Sequence, residues 1–271
     1  MSPIFEEDEM KLYLENEIVK YLPNGITTNE IALEYAIQDM ESDEMTEYNI
    51  LLLAAKKNKI EEKIAIVEAA GLIPIILDVE QYAMQNMLRL MKGDDFTKKT
   101  YLLLDCASTN LKMLVYRNGE IIATRDAPMG GVNLIQNVMH TLKVSFADAE
   151  RLIIESDDNN IDYKIVEKHF INNYVNEFIS VFRYFKSSTT VPDIDEVILT
   201  GGLAGLPSLE EAFKYAIIEH KETHIKTEPY IARPLNTTPK GENMSLNKFL
   251  KDEPSLFLVT ALALRHFLRQ F

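Results

Sequence analysis

Cysteine occurs once in this chain of 271 residues, at Cys106, so no internal disulfide framework can form and a reducing compartment is expected. Basic residues are scarce: 28 Lys and Arg stand against 42 Asp and Glu, for a net charge of −14. A surface of that sign repels a phosphate backbone, and no local basic cluster offsets it, which argues against general nucleic-acid binding. No apolar run is long enough to span a bilayer. The first seventeen residues carry six acids and one lysine, the reverse of a signal or transit peptide. Metal motifs are missing too. His140, His169, His220, His224 and His266 form no HExxH or Cys/His pattern, and His220 and His224 have no third ligand nearby in sequence. Cys106 has no histidine close to it and reads as a packing group rather than a nucleophile. Solenoid repeats and low-complexity tracts are absent.

What is present is an ordinary globular composition, 46% hydrophobic and 26% charged, in a chain long enough for two compact lobes. Met10, Leu14, Ile18 and Tyr21 recur at helical spacing, which predicts a helix over 6–21 stopped by Pro23. Ile31, Leu33, Tyr35 and Ile37 alternate as in a strand. Residues 48–55 are apolar almost throughout and read as a strand buried on both faces. A helix over 57–70 is closed by Gly71. Residues 72–79 read as another apolar strand, and 80–91 as a helix in which Met84, Met87 and Met91 are core filler. A strand over 100–104 then ends on Asp105, followed by a polar turn, a strand over 111–116, an Asn118-Gly119 hairpin signal and a strand over 120–125. Gly130-Gly131 opens a helix. Ser145 caps the next, with Asp148 at capping-box spacing. Residues 161–186 form a long helix, 195–200 a strand, Gly201-Gly202 a turn, and Pro207 a helix start. Residues 236–251 read as a loop and 254–271 as a final amphipathic helix docked on its own domain.

Two features suggest a phosphate site. In the strand–turn–strand around Asp105, an acid at a strand tip can hold Mg²⁺ through waters. The small residues after it, Ala107, Ser108 and Thr109, let backbone N–H and hydroxyl groups face a phosphate. In the strand ending at Thr200-Gly201-Gly202, paired glycines let the backbone approach a flat ring or ribose, and the following helix start favours anions. Each feature alone is also ordinary turn chemistry. Their order along the chain strengthens both.

That order, with Leu77-Asp78-Val79-Glu80-Gln81-Tyr82-Ala83, Gly130-Gly131-Val132-Asn133-Leu134, Phe146-Ala147-Asp148-Ala149-Glu150-Arg151-Leu152, Thr200-Gly201-Gly202 and Pro254-Ser255-Leu256, resembles the PilM family of type IV pilus proteins. Through that family it is similar to FtsA and the actin/Hsp70 ATPase superfamily. The resemblance implies an α/β actin-like (RNase H-like) fold with two lobes and an inserted small α/β subdomain. The insert would span 4–77, the remainder of the first lobe 78–98 and 252–271, and the second lobe 99–251. Carried over position by position, Glu80 matches the acid that places water or metal near a γ-phosphate. Asp105 matches the metal-facing acid of the second phosphate loop, which includes Ala107, Ser108 and Thr109. Gly130 and Gly131 stand beside that loop, Glu150 matches the ribose acid, and Gly201 and Gly202 the adenosine turn. The implied cofactor is ATP or ADP with Mg²⁺.

Three departures from the family pattern are expected to weaken the pocket. The family's first phosphate loop would precede Met1. Ala107 replaces a usual glycine, where its methyl would crowd a phosphate or block a positive φ. Ile153 stands where relatives of the superfamily often carry a basic residue near the nucleotide. Charge stabilisation from several sides is needed for phosphoryl transfer, so little or no ATPase activity is expected. The resemblance then implies a cytoplasmic scaffold peripheral to the inner membrane. Its partners would be the N-terminal tail of PilN and other platform proteins, with membrane contact only through them. The alternatives are a filament-forming ATPase like FtsA, or a sugar kinase, whose catalytic acid and sugar cleft find no match in the sequence.

Overall fold

The computed structural model describes residues 7–23, 25–38, 49–155, 160–188, 193–220, 225, 227–234 and 254–268. The expected loop over 236–251 lies outside the described residues, as does His224. The chain divides into two compact units, Met1–Leu77 and Asp78–Phe271.

The first unit contains α1 (Glu7–Ile18), β1 (Ile31–Gln38), β2 (Asn49–Lys56) and α2 (Lys57–Ala69). Met10, Leu14 and Ile18 recur every four residues, and together they form the buried stripe of α1. β1 and β2 pair antiparallel from Ile31↔Lys56 to Gln38↔Asn49 as a two-stranded sheet. β2 is therefore not the strand buried on both faces that its apolar run suggested: Ala54 and Ala55 are exposed. α2 ends in a Schellman motif. Gly71 adopts a φ of +75°, its N–H donates to the Glu68 carbonyl at 2.9 Å, and the Leu72 N–H donates to the Val67 carbonyl at 3.2 Å.

The expected strand over 72–79 does not form, because these residues join no ladder. Leu72, Ile73, Ile75 and Leu77 are instead 64%, 86%, 82% and 58% exposed. An apolar run becomes a strand only where a neighbouring strand takes up its N–H and C=O groups.

The second unit carries α3 (Glu80–Lys92), β3 (Thr100–Cys106), β4 (Leu111–Arg117), β5 (Glu120–Ala127), α4 (Gly131–Leu142), α5 (Phe146–Glu155), α6 (Ile161–Ser188), β6 (Glu196–Thr200), α7 (Pro207–Glu219), β7 (Tyr230–Ile231) and α8 (Phe257–Leu268). The sheet order is β5-β4-β3-β6-β7. β3, β4 and β5 run antiparallel, while β6 and β7 extend the sheet in parallel. Asn118 (φ 54°) and Gly119 (φ 81°) make the β4–β5 turn, the left-handed pair that a two-residue hairpin loop requires. Ser145 caps α5 by accepting from the Asp148 N–H at 3.2 Å, and Asn160 caps α6 by accepting from the Tyr163 N–H at 3.0 Å.

β3 is buried along its whole length because both sheet faces are covered. One face packs Leu102, Leu104, Met113, Val115 and Leu199 against an aromatic layer that includes Tyr174, Phe178, Phe182 and Phe213. The other packs Tyr101, Leu103, Leu114, Tyr116 and Ile198 against Met84, Met87 and Leu88 of α3 and Phe257 and Ala261 of α8. α8 is thus docked on its own unit. An Arg265–Asp78 ion pair at 2.7 Å ties it to the start of α3, with the Asp78 side chain only 9% exposed.

Candidate functional site

The strand register builds the site. Asp105 on β3 lies opposite Lys112 on β4 and beside Thr200 on β6, and Lys112 lies opposite Asp126 on β5. Directly paired residues point to the same face, so these four make one row across four strands. The face is the one that α3 and α8 cover, since Asp105 shares strand parity with Tyr101 and Leu103.

Lys112 reaches Glu80, the first residue of α3, and the two are ion-paired. The Lys112 side chain is 17% exposed and that of Glu80 48%. The acid assigned to water or metal is thus already held by a lysine. Asp105 differs sharply. It is 7% exposed, and its carboxylate accepts no hydrogen bond from any described residue. Burial, with the nearby negative charge of Asp126 added, pushes its carboxyl up from the ordinary value of 3.8 to about 6. Asp126 itself is exposed and accepts from the Asn110 side-chain amide at 3.4 Å.

The turn after Asp105 is tight. The Ala107 N–H donates to the Asn110 carbonyl at 3.1 Å, which leaves Ser108 and Thr109 at the tip. Among the described residues other than glycine, only Asn118 and Lys143 have positive φ. Ala107 is therefore unstrained, and the expected backbone penalty of its methyl does not arise. The turn carbonyls also complete the start of α4: Ala107 accepts from the Gly131 N–H at 3.1 Å and Ser108 from the Val132 N–H at 2.8 Å. The Gly130 N–H goes to Asn133 Oδ1 at 2.8 Å. These helix-start donors are spent inside the fold, whereas the N–H groups of Ser108 and Thr109 meet no acceptor among the described residues.

The glycines separate into two kinds. A Cβ on Gly130 would stand 2.5 Å from the Ser108 carbonyl oxygen, and one on Gly201 would stand 2.5 Å from the Cys106 oxygen and 2.6 Å from Asp105 Oδ1. The fold itself therefore demands both. Gly131 would make only ordinary contacts, the nearest at 3.7 Å, and at Gly202 nothing lies within 4 Å. Open space beside Gly202 is what close approach of a ligand needs. The turn is anchored from behind, because the Pro254 carbonyl accepts from Thr200 Oγ1 at 3.0 Å and from the Gly201 N–H at 3.2 Å.

The structure thus gathers Asp105, Ala107, Ser108, Gly130, Gly131 and Gly201 into one contiguous site, with Thr109 and Gly202 at its open edge. Glu80 joins through Lys112. Glu150 is exposed on α5 and has no hydrogen bond or ion pair with these residues. Ile153 is partly buried and packs on the aromatic core. The sequence reading missed Lys112 and Asp126. Lys112 was legible as a charge inside the otherwise apolar start of β4, whereas Asp126 follows Arg125 near the end of a mostly exposed strand and is placed only by the pairing register.

No described group of three or more His, Cys, Asp or Glu residues could hold a metal ion. Mg²⁺ needs fewer protein ligands, since it keeps several waters and takes one or two carboxylates with substrate phosphates. Asp105, buried and without a hydrogen-bond donor, suits a neighbouring cation of that kind.

Comparison with known proteins agrees with this architecture. A structure described as the PilM-PilN type IV pilus biogenesis complex matches with a TM-score of 0.77 at 17% identity, covering 97% of this chain and 74% of that one. The ethanolamine utilization protein EutJ from Carboxydothermus hydrogenoformans matches at 0.50 and 17%, over 94% and 97% of the two chains. MreB5 of Spiroplasma citri bound to ADP matches at 0.50 and 9%, over 80% and 67%. These likenesses establish an actin-like α/β fold. The family model described as type IV pilus assembly protein PilM matches residues 1–267, and the chain belongs to that family.

Proposed function

We propose that this protein is a scaffold of the type IV pilus inner-membrane platform that captures the N-terminal cytoplasmic tail of a PilN-type partner. Its pocket holds ADP or ATP with Mg²⁺ weakly and without sustained turnover. On this reading 4–77 is the partner-side insert, 78–98 with 252–271 completes the first lobe, and 99–251 is the second lobe. The protein works at the cytoplasmic face, reaching the membrane and other platform proteins only through partners. No described helix is long and apolar enough to cross a membrane, which is consistent with recruitment by a membrane-bound partner.

The observation that carries the reading is the run from Leu72 to Leu77. It presents four large apolar side chains at 58% exposure or more, beside backbone that joins no ladder. Such a segment offers both main-chain hydrogen bonds and apolar anchors to an extended or short helical peptide. Family membership, and the likeness to a PilM–PilN complex, support the choice of occupant.

Titration calorimetry with a synthetic PilN tail tests it. The doubly substituted Ile73→Asp, Ile75→Asp protein is expected to lose tail affinity at least tenfold (~1.4 kcal/mol), while thermal melting of the second unit stays unchanged. Unaltered affinity in that variant sinks the docking site. Glu80, bound to Lys112, is poorly placed to direct water, so pure protein is expected to show no sustained ATP hydrolysis. Mg²⁺-dependent turnover abolished by Glu80→Gln would restore the filament-forming ATPase alternative.

A further inference from the structure

We propose that Asp126 is the second carboxylate of a divalent-cation site shared with Asp105, holding hydrated Mg²⁺ against the phosphates of a bound nucleotide. The inference rests on the nucleotide-pocket reading above and assigns the cation's protein partners within it. Lys112, the one cation of the cross-strand row, is ion-paired with Glu80 at the start of α3. That leaves Asp105 and Asp126 as two uncompensated negative charges on one sheet face, a balance that a divalent ion meets. Asp105 is the buried member, 7% exposed and without a donor among the described residues. Its Oδ1 lies against Gly201 at the turn that opens onto Gly202. Asp126 is the exposed member, lightly held by the Asn110 amide at 3.4 Å, so it can turn toward a hydrated ion at little cost. Lys112, their common ladder neighbour, pairs with Glu80 and makes no ion pair with either aspartate. Two carboxylates cannot complete an octahedral shell, so waters and phosphate oxygens would supply the remaining ligands.

The test compares ADP binding by calorimetry in Mg²⁺ and in EDTA, for the wild type and Asp126→Asn. Electron paramagnetic resonance of free Mn²⁺ counts bound ions in parallel. The wild type is expected to bind ADP at least tenfold more tightly with Mg²⁺ and to sequester one Mn²⁺ per ADP. Asp126→Asn should bind ADP in EDTA no more weakly than the wild type and melt no lower, since a repelling charge is removed, but lose the metal enhancement and the sequestered Mn²⁺. Full enhancement in Asp126→Asn overturns the assignment while the pocket reading stands. A wild type that binds no ADP in either condition overturns both the assignment and the pocket, and leaves tail capture standing.

Discussion

Asp105→Asn is expected to stabilise the metal-free protein by about 3 kcal/mol above pH 6, with the gain fading to nothing as the pH falls toward 4. Burial, with Asp126 nearby, raises the Asp105 carboxyl from 3.8 to about 6 in the folded chain. A raised carboxyl means that the folded state holds its proton more tightly than the unfolded state does. The cost to folding is absent below the unfolded value, grows as pH rises between the two values, and is complete above the folded one. Asparagine removes the ionisation and therefore the cost. Urea unfolding in EDTA from pH 4.5 to 8 measures it. A pH-independent difference, or a destabilised variant at pH 8, would show that the carboxylate is compensated. On the cation site proposed above, the gain in stability would come with loss of cation binding.

Gly201→Ala is expected to cost about 3 kcal/mol or more, and Gly202→Ala no more than about 0.5 kcal/mol. Gly201 has φ 86° and ψ 169°, a region essentially reserved for glycine. Its added methyl would also collide with the Cys106 carbonyl and the Asp105 carboxylate, at 2.5 and 2.6 Å. The Cys106 oxygen is backbone in the central strand and cannot yield cheaply. Thermal melting should therefore drop by roughly 10 °C for Gly201→Ala, given about 2–4 °C per kcal/mol for a unit of this size. Gly202→Ala should melt like the wild type, yet weaken ADP binding by crowding the open side of the turn. Equal melting temperatures for the two variants would contradict the division between a glycine the backbone requires and one the ligand requires.

The contrast between these neighbours marks how far the sequence could be read. The paired-glycine turn, Asp105 at its strand tip, the Asn118-Gly119 hairpin, the Gly71 helix stop and the Ser145 cap were all legible. Each depends on contacts within about five residues and on the φ that a given side chain allows. Nothing local separates Gly201 from Gly202, because the difference lies in what β3 places opposite each of them. The same holds for the backbone at Ala107, which needs no positive φ in the turn closed by the Ala107–Asn110 hydrogen bond.

The apolar run 72–79 failed as a strand for a related reason. Its composition was right, but strand formation is decided by a neighbour, and no ladder receives it. β2 likewise had the composition of a central strand but lies in a two-stranded sheet.

The sequence by itself determined the family, most of the helices and strands, and the residues of the Asp105 turn, because propensity, capping and turn chemistry act over short distances. Only the tertiary structure decided that Lys112 stands between Asp105 and Asp126 and is drawn to Glu80. Cross-strand register sets which charges meet, and register joins residues that lie far apart in the chain.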